Sequence, residues 1–148
     1  PDPKIDLSGV DVARKILILI RESGYEMEME DIENNCFLPK ECMETTNNED
    51  FFKSLTKHSS HFENLLAEAK SKDSRLKFVA SFDNGKASVG LQFIPKESPF
   101  YNLEGKDNIV EFYTDRYIDQ PLIIKGAGAG AAVTASGIFA DVIRIGNV

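Results

Sequence analysis

The stretch that decides the fold is "RLKFVASFDNGKASVGLQFI", residues 75–94. Its apolar side chains recur at every second position on both sides of a turn signal, Asp83-Asn84-Gly85. Strict alternation is typical of a half-buried β-strand, and an Asn-Gly pair between two such runs is typical of a tight hairpin. The side chains expected to share one face are Leu76, Phe78, Ala80 and Phe82 before the turn and Ala87, Val89, Leu91 and Phe93 after it.

Three helices are expected ahead of this hairpin. A wide apolar face predicts the first from about Val10 to Ser23, capped by Asp6 or Ser8 and stopped by Gly24. That face consists of Val12, Ala13, Ile16, Leu17, Leu19 and Ile20. Two amphipathic helices follow, and their expected caps are Asn47 or Asn48 and Ser59 or Ser60.

The remaining segments complete the expected fold. Residues 26–43 are acidic and irregular, with one short strand. Beyond the hairpin, "NIVEFYTDRY" (108–117) and "QPLIIK" (120–125) predict two strands, and a last helix runs from about Ala132 to Ile145. This order predicts an α+β fold, with a mostly antiparallel sheet and helices packed on one face, rather than a repeated βαβ unit.

Composition restricts the class of protein. The 148 residues are 42% hydrophobic and 28% charged, which is typical of one soluble globular domain. The formal net charge of -7 and the scattered basic residues argue against a nucleic-acid partner. The apolar runs are too short or too interrupted to span a membrane, so no membrane partner is expected. Cys36 and Cys42 form no disulfide framework and no secretory leader is recognisable, so we expect a cytoplasmic location.

The first candidate site is the segment "PDPKIDLSGVDVARK", residues 1–15. Asp11 and Lys15 have the spacing of a helical ion pair, which on pattern alone is a surface feature. The alternative is a lysine that carries a proton and is steered by the aspartate one turn before it. Asp2, Asp6 and Asp11 likewise either complement a helix dipole or bind an ammonium group.

The second candidate site is the glycine-rich segment "KGAGAGAAVTASGIFAD", residues 125–141. It fails the dinucleotide fingerprint, because the third glycine would fall on Ala131 or Val133. It is either a tight turn or a helix N-terminus lying against a phosphate or cofactor bound by another domain. His58 and His61 lack further ligands, so we expect solvated histidines and no metal site.

Both segments resemble one family. "PDPKIDLSGVDVARK" resembles the homoserine dehydrogenase signature D-P-x-x-D-L-x-G-x-D-x-x-x-K, and "GAGAGAAVTASGIFAD" (126–141) is similar to that family's C-terminal segment. "VARKILILIRESG" (12–24) looks closest to the bifunctional aspartokinase–homoserine dehydrogenases. The resemblance implies NAD- or NADP-dependent interconversion of L-homoserine and L-aspartate 4-semialdehyde, on the route to threonine and methionine.

The resemblance also implies roles for individual residues. Lys15 matches the catalytic lysine that moves a proton to or from the substrate oxygen. Asp11 and Asp6 match carboxylates that bind the substrate and orient that lysine. In the glycine turn, the residues that match positions near the nicotinamide cofactor are Gly130, Ala129 and Thr134.

One large part of the family pattern is missing from these residues. The chain begins without Met, and the resemblance places a Rossmann nucleotide-binding domain ahead of Pro1. Residues 1–148 are therefore expected to form a single substrate-binding and dimerisation domain that is inactive alone. We expect its sheet to pair with that of a second subunit, in a homodimer or higher homo-oligomer. The alternative is a non-enzymatic binding or oligomerisation module whose glycine turn is purely structural.

Overall fold

The computed structural model describes residues 2–147, which divide into two compact units, one ending at Ser98 and the other beginning at Pro99. The first contains α1 (Pro3–Leu7), α2 (Val10–Glu22), a 3-10 turn (Met29–Asp31), β1 (Ile32–Asn35), α3 (Lys40–Met43), α4 (Asn48–Lys57), α5 (Ser59–Ser71), β2 (Ser74–Asp83) and β3 (Lys86–Pro95). The second contains β4 (Asp107–Thr114), β5 (Tyr117–Ala127) and α6 (Ala131–Gly146). The expected α+β class is confirmed. None of the helices in residues 2–147 combines the length and apolarity needed to cross a bilayer.

The predicted hairpin forms as expected. Strands β2 and β3 pair antiparallel, with Phe78 opposite Leu91 and Ala80 opposite Val89, so the alternating apolar residues share one face. Asn84 and Gly85 have φ of 48° and 77°. Two consecutive left-handed residues characterise the type I′ turn, whose twist matches that of the flanking strands.

The three-stranded sheet has the order β1-β3-β2, and β1 lies parallel to β3. A parallel strand was not predicted. Strand β1 has four residues, of which only Ile32 is buried. Its sequence therefore lacks the apolar alternation that would predict a buried face and a place in the sheet. The second sheet is the antiparallel pair β4–β5. The pairing elsewhere is antiparallel, as expected.

The main core of the first unit lies between α2 and the three-stranded sheet. The buried residues of α2 are on the predicted apolar face: Ala13, Leu17 and Ile20. They cluster with Ile32, Ala87 and Val89 of the sheet. A second cluster forms around Leu38, Cys42 and Phe51, near α3, α4 and α5. Each large apolar side chain that becomes fully buried stabilises the fold by about 1.5–3 kcal/mol.

The N-terminal elements differ from the expectation. Helix α1 was not predicted, yet the Asp2 side chain accepts a hydrogen bond from the Lys4 amide at 2.9 Å. Pro3 suits the first helical position because its fixed φ is already helical and its missing N–H is not needed there. Asp6, one of the two caps predicted for α2, lies inside α1, and the N-cap position of α2 is Gly9. The other, Ser8, lies one residue earlier, and its Oγ accepts a long hydrogen bond of 3.5 Å from the Val10 amide at the start of α2.

Of the other predicted helix and strand ends, some are confirmed by the structure and some are wrong. Gly24 follows α2 with φ of 89°, as predicted for a helix stop, and Asn47 caps α4 through the Asp50 amide at 2.8 Å. The Ser59 or Ser60 cap was wrong, because His58 alone connects α4 to α5 and occupies the N-cap position. Strand β5 begins at Tyr117, three residues before the predicted start, because Thr114 and Tyr117 pair across a two-residue turn.

Candidate active site

Lys15 and Asp11 form the centre of the first candidate site. Both lie on α2, one turn apart, and Lys15 Nζ is 2.8 Å from Asp11 Oδ2. Their side chains are 58% and 46% exposed. An exposed pair of this kind contributes at most about 0.5 kcal/mol to stability. The pair places an amine and a carboxylate side by side on one exposed face of α2, where both can bind a polar ligand.

Asp6 lies on α1, on the other side of the corner that joins the two short helices. Its side chain is exposed, and within residues 2–147 its carboxylate makes no hydrogen bond or ion pair. It makes no hydrogen bond or ion pair with Asp11 or Lys15 there, so the structure pairs only two of the three predicted residues. An exposed carboxylate without a partner remains available to an ammonium group.

The corner between α1 and α2 is Ser8-Gly9, and three contacts hold it. Ser8 is 4% exposed, and its carbonyl accepts a hydrogen bond from Asn34 Nδ2 at 2.9 Å. Gly9 has φ of 84°, and a Cβ there would lie 2.4 Å from Cζ of Phe78. Lys4 Nζ also donates to the carbonyl of Thr45. The segment that carries the predicted site residues is therefore attached to β1, to β2 and to the loop before α4.

The glycine turn belongs to the second unit and forms a second cluster. Gly130 is the N-cap of α6, with φ of 128° and no side-chain cap, and its carbonyl accepts the Thr134 amide at 3.0 Å. No heavy atom lies within 4 Å of a Cβ built on Gly130. Ala129 and Thr134 are exposed on either side of it. An open glycine beside the uncapped start of a 16-residue helix fits the close approach of a dinucleotide.

Gly128 has a different environment from Gly130. A Cβ at this position would lie 1.6 Å from Asn108 Nδ2 and 2.6 Å from Asn108 Cγ. Its amide donates to the carbonyl of Lys106 at 3.1 Å. Gly128 is therefore required for packing against β4, whereas Gly130 faces open space.

Comparison with known proteins identifies the family. Residues 1–143 match the family model described as homoserine dehydrogenase. The chain belongs to the homoserine dehydrogenase family. Among relatives, it is 42% identical to a chloroplastic bifunctional aspartokinase/homoserine dehydrogenase 2 of Arabidopsis thaliana, over 99% of this chain and 16% of that protein. It is 40% identical to the homoserine dehydrogenase of Paracoccidioides brasiliensis, over 98% of this chain and 40% of that one.

Solved structures agree on the fold. A Candida auris protein of unknown function superposes with a TM-score of 0.86 at 36% identity, covering 99% of this chain and 41% of that chain. The S. aureus homoserine dehydrogenase superposes with a TM-score of 0.67 at 22% identity, covering 98% of this chain and 32% of that one. The chain thus spans less than half the length of these homoserine dehydrogenase relatives and structural neighbours.

Within residues 2–147, the histidines and cysteines make no hydrogen bond or ion pair with Asp6, Asp11 or Lys15. His61 Nε2 is 2.9 Å from the carbonyl of Phe37, so it is not simply solvated as expected. Nε2 of His58 is buried without a hydrogen-bond partner in residues 2–147 and lies 3.9 Å from Glu41 Oε2. Both thiols are free, Cys36 exposed and Cys42 buried. No group of three or more potential ligands among the described residues is arranged to hold a metal ion.

Sequence reasoning missed the residues that support the homoserine dehydrogenase signature segment. Asn34 and Thr45 contact the α1–α2 segment from 26 and 41 residues away. Neither belongs to a motif or a periodic pattern, and no spacing rule connects them to Ser8 or Lys4. Only the way β1 and α3 fold back onto the N-terminal helices reveals them.

Proposed function

We propose that this chain is the substrate-binding part of a homoserine dehydrogenase, which interconverts L-homoserine and L-aspartate 4-semialdehyde with NAD or NADP in threonine and methionine biosynthesis. The observation that carries the proposal is the match of residues 1–143 to that family, in a chain where Lys15 and Asp11 of the signature segment lie 2.8 Å apart. The chain covers only 16% to 40% of the relatives named above, so the activity is proposed for the protein that contains it.

Lys15 would carry the proton of the reaction. During oxidation the substrate's alcohol carbon loses a hydride, and its hydroxyl oxygen loses a proton to the neutral amine of Lys15. During reduction the ammonium of Lys15 returns that proton to the carbonyl oxygen. A positioned acid or base of this kind contributes about 100- to 10,000-fold in rate. NAD or NADP, when bound, supplies the hydride acceptor or donor.

The carboxylates would orient the substrate and the lysine. Asp11 is already paired with Lys15, so it limits the positions that the lysine amine can adopt. Asp6 has no ionic partner in residues 2–147, so its carboxylate is available to the ammonium group of homoserine. Charge-assisted hydrogen bonds are about twice as strong as neutral ones, which suits an amino-acid substrate with a fixed positive charge.

The glycine turn would lie against the cofactor. Gly130 faces open space, and the first backbone amides of α6 have no side-chain cap, so both can approach a dinucleotide without a steric barrier. Ala129 and Thr134 flank that position. The choice between NAD and NADP would depend on the nucleotide-binding domain that we propose ahead of Pro1.

The test is a lysine substitution in the full-length protein. We expect Lys15→Ala to lower kcat for homoserine oxidation by about 100-fold or more, because the proton carrier is lost. The matched control is Lys53→Ala, since Lys53 forms the same kind of helical ion pair with Glu49 at 2.6 Å. Wild-type kcat in Lys15→Ala would refute the proposed role, and an inactive wild type would refute the proposed function.

We propose that residues 1–148 do not turn over substrate alone, because the family's nucleotide-binding half lies outside them. The purified chain and the full-length protein are compared in one assay with aspartate semialdehyde and NADPH. Measurable NADPH oxidation by the chain alone would contradict this proposal.

The two free thiols are compatible with a reducing compartment such as the cytoplasm. Several plant relatives are named chloroplastic.

The proposed partner is a second copy of the same protein, in a homodimer or higher homo-oligomer. Leu122 and Ile124 lie on one face of the β4–β5 sheet and are 42% and 56% exposed. A two-stranded sheet is marginal in water, and pairing two such sheets would cover these side chains. We expect Ile124→Lys to shift the full-length protein towards monomer in light scattering. An unchanged mass would contradict assembly through this face.

A further inference from the structure

The corner between α1 and α2 determines how the proposed substrate-binding and proton-transfer groups are spaced. Asp6 lies on α1, whereas Asp11 and Lys15 lie on α2. Only Ser8 and Gly9 separate the two helices. A change of backbone direction at these two residues would move Asp6 relative to the Lys15 amine.

The corner is held by a side chain from the sheet. Asn34, on β1, donates from Nδ2 to the carbonyl of Ser8 at 2.9 Å. Its Oδ1 lies 3.2 Å from the position that a Cβ on Gly9 would occupy. The carboxamide therefore lies against both corner residues. Ser8 is 4% exposed, so its surroundings leave water little access to replace a lost protein contact.

We propose that Asn34 is a positioning residue for this active site: its hydrogen bond to the Ser8 carbonyl fixes the α1–α2 corner and hence the spacing between Asp6 and Lys15. The inference rests on the proposed function and adds a residue to it. Asn34 does not touch the substrate in this role. It acts through the backbone of residues 8 and 9.

The reaction makes this spacing important. Homoserine carries its ammonium group on the carbon next to its carboxylate and its hydroxyl at the far end of the same short carbon chain. If Asp6 holds the ammonium, Lys15 reaches the hydroxyl only when the two helices keep their relative placement. A misplacement of about 1 Å by a distant substitution can lower a rate about 100-fold.

The experiment uses Asn34→Asp and Asn34→Ala in the full-length protein. Asn34→Asp keeps the shape but replaces the N–H donor with an oxygen that repels the Ser8 carbonyl. We expect kcat/KM for homoserine to fall about 10-fold while KM for the nicotinamide cofactor stays unchanged, and the lost hydrogen bond also lowers the melting temperature. Asn34→Ala removes the hydrogen bond without adding repulsion, so we expect kcat/KM for homoserine to fall only about 3-fold, again with KM for the cofactor unchanged.

The control is Asn35→Asp, which makes the same chemical change one residue along β1, where the side chain points to the opposite face of the strand. It should leave kcat/KM for homoserine unchanged. An active wild type with an unaffected Asn34→Asp variant would overturn the positioning role alone. An equal rise in KM for the cofactor and for homoserine would overturn it too, since that pattern indicates general destabilisation. An inactive wild type would instead overturn the proposed function on which it rests.

Discussion

Gly9 and Gly24 have almost the same backbone conformation but very different surroundings. Their φ angles are 84° and 89°, and they lie at the two ends of α2. A Cβ on Gly24 would meet no atom within 4 Å, whereas one on Gly9 would overlap the ring of Phe78. Substituting the two glycines therefore distinguishes the free-energy cost of a left-handed residue with a Cβ from the additional cost of a steric overlap.

We predict that Gly24→Ala lowers the free energy of unfolding by about 1–2 kcal/mol, the cost of a left-handed residue with a Cβ. Gly9→Ala should cost about 2–5 kcal/mol, because the overlap with Phe78 adds about 1–3 kcal/mol to the same backbone cost. Urea unfolding of this chain, followed by circular dichroism, measures both. Equal losses would show that the Phe78 ring moves aside freely.

The candidate site could be predicted only in part at the scale of single residues. The spacing of Asp11 and Lys15 correctly predicts their contact, but it predicts the contact between Glu49 and Lys53 equally well. Geometry does not separate a catalytic pair from a surface pair here, since both are exposed. The resemblance of the segment around Asp11 and Lys15 to the family signature is what supports the catalytic role proposed for them. Asn34 could not be predicted, because its partner is set by tertiary folding.

Elements defined by local signals were predicted well. The β2–β3 hairpin and the apolar face of α2 follow from side-chain alternation, turn residues and helical periodicity, all of which act within a few residues. The parallel pairing of β1 with β3 was missed, because Ile32 and Ala87 come together only after three helices and a strand have folded between them. Helix α1 was missed because its five residues are too few to show a helical period, although Pro3 is well placed at a helix start.

The caps of α4 and α5 provide a prediction at the scale of the element. We predict that Asn47→Ala lowers the free energy of unfolding by about 1 kcal/mol, because the Asp50 amide loses its acceptor, while Asn47→Asp retains the cap. Ser59→Ala should change stability by less than about 0.5 kcal/mol, because Ser59 is already inside α5 and is exposed. If Ser59→Ala lowered the free energy of unfolding as much as Asn47→Ala, Ser59 would be the cap of α5, as the sequence predicted.

The two units of the molecule differ in what they bury. The first contains the α2–sheet core and the cluster around Phe51, both formed within residues up to Ser98. In the described part of the second, residues 99–147, no residue falls in the buried class. Helix α6 is rich in apolar residues, yet Ile138 and Phe139 are 62% and 65% exposed. The second unit by itself therefore lacks the buried surface that stabilises a fold.

We predict that residues 1–98, expressed alone, fold cooperatively, whereas residues 99–148 alone do not. Full burial of Ile20, Phe51 and Val89 gives the first fragment a core, and its size is within the range of independent domains. The second fragment has only an isolated two-stranded sheet and one exposed helix, which are marginal in water. Urea titrations of both fragments and of the intact chain, followed by circular dichroism, provide the measurement. A cooperative transition in 99–148, or none in 1–98, would show that the stability of the chain is distributed differently from its buried residues.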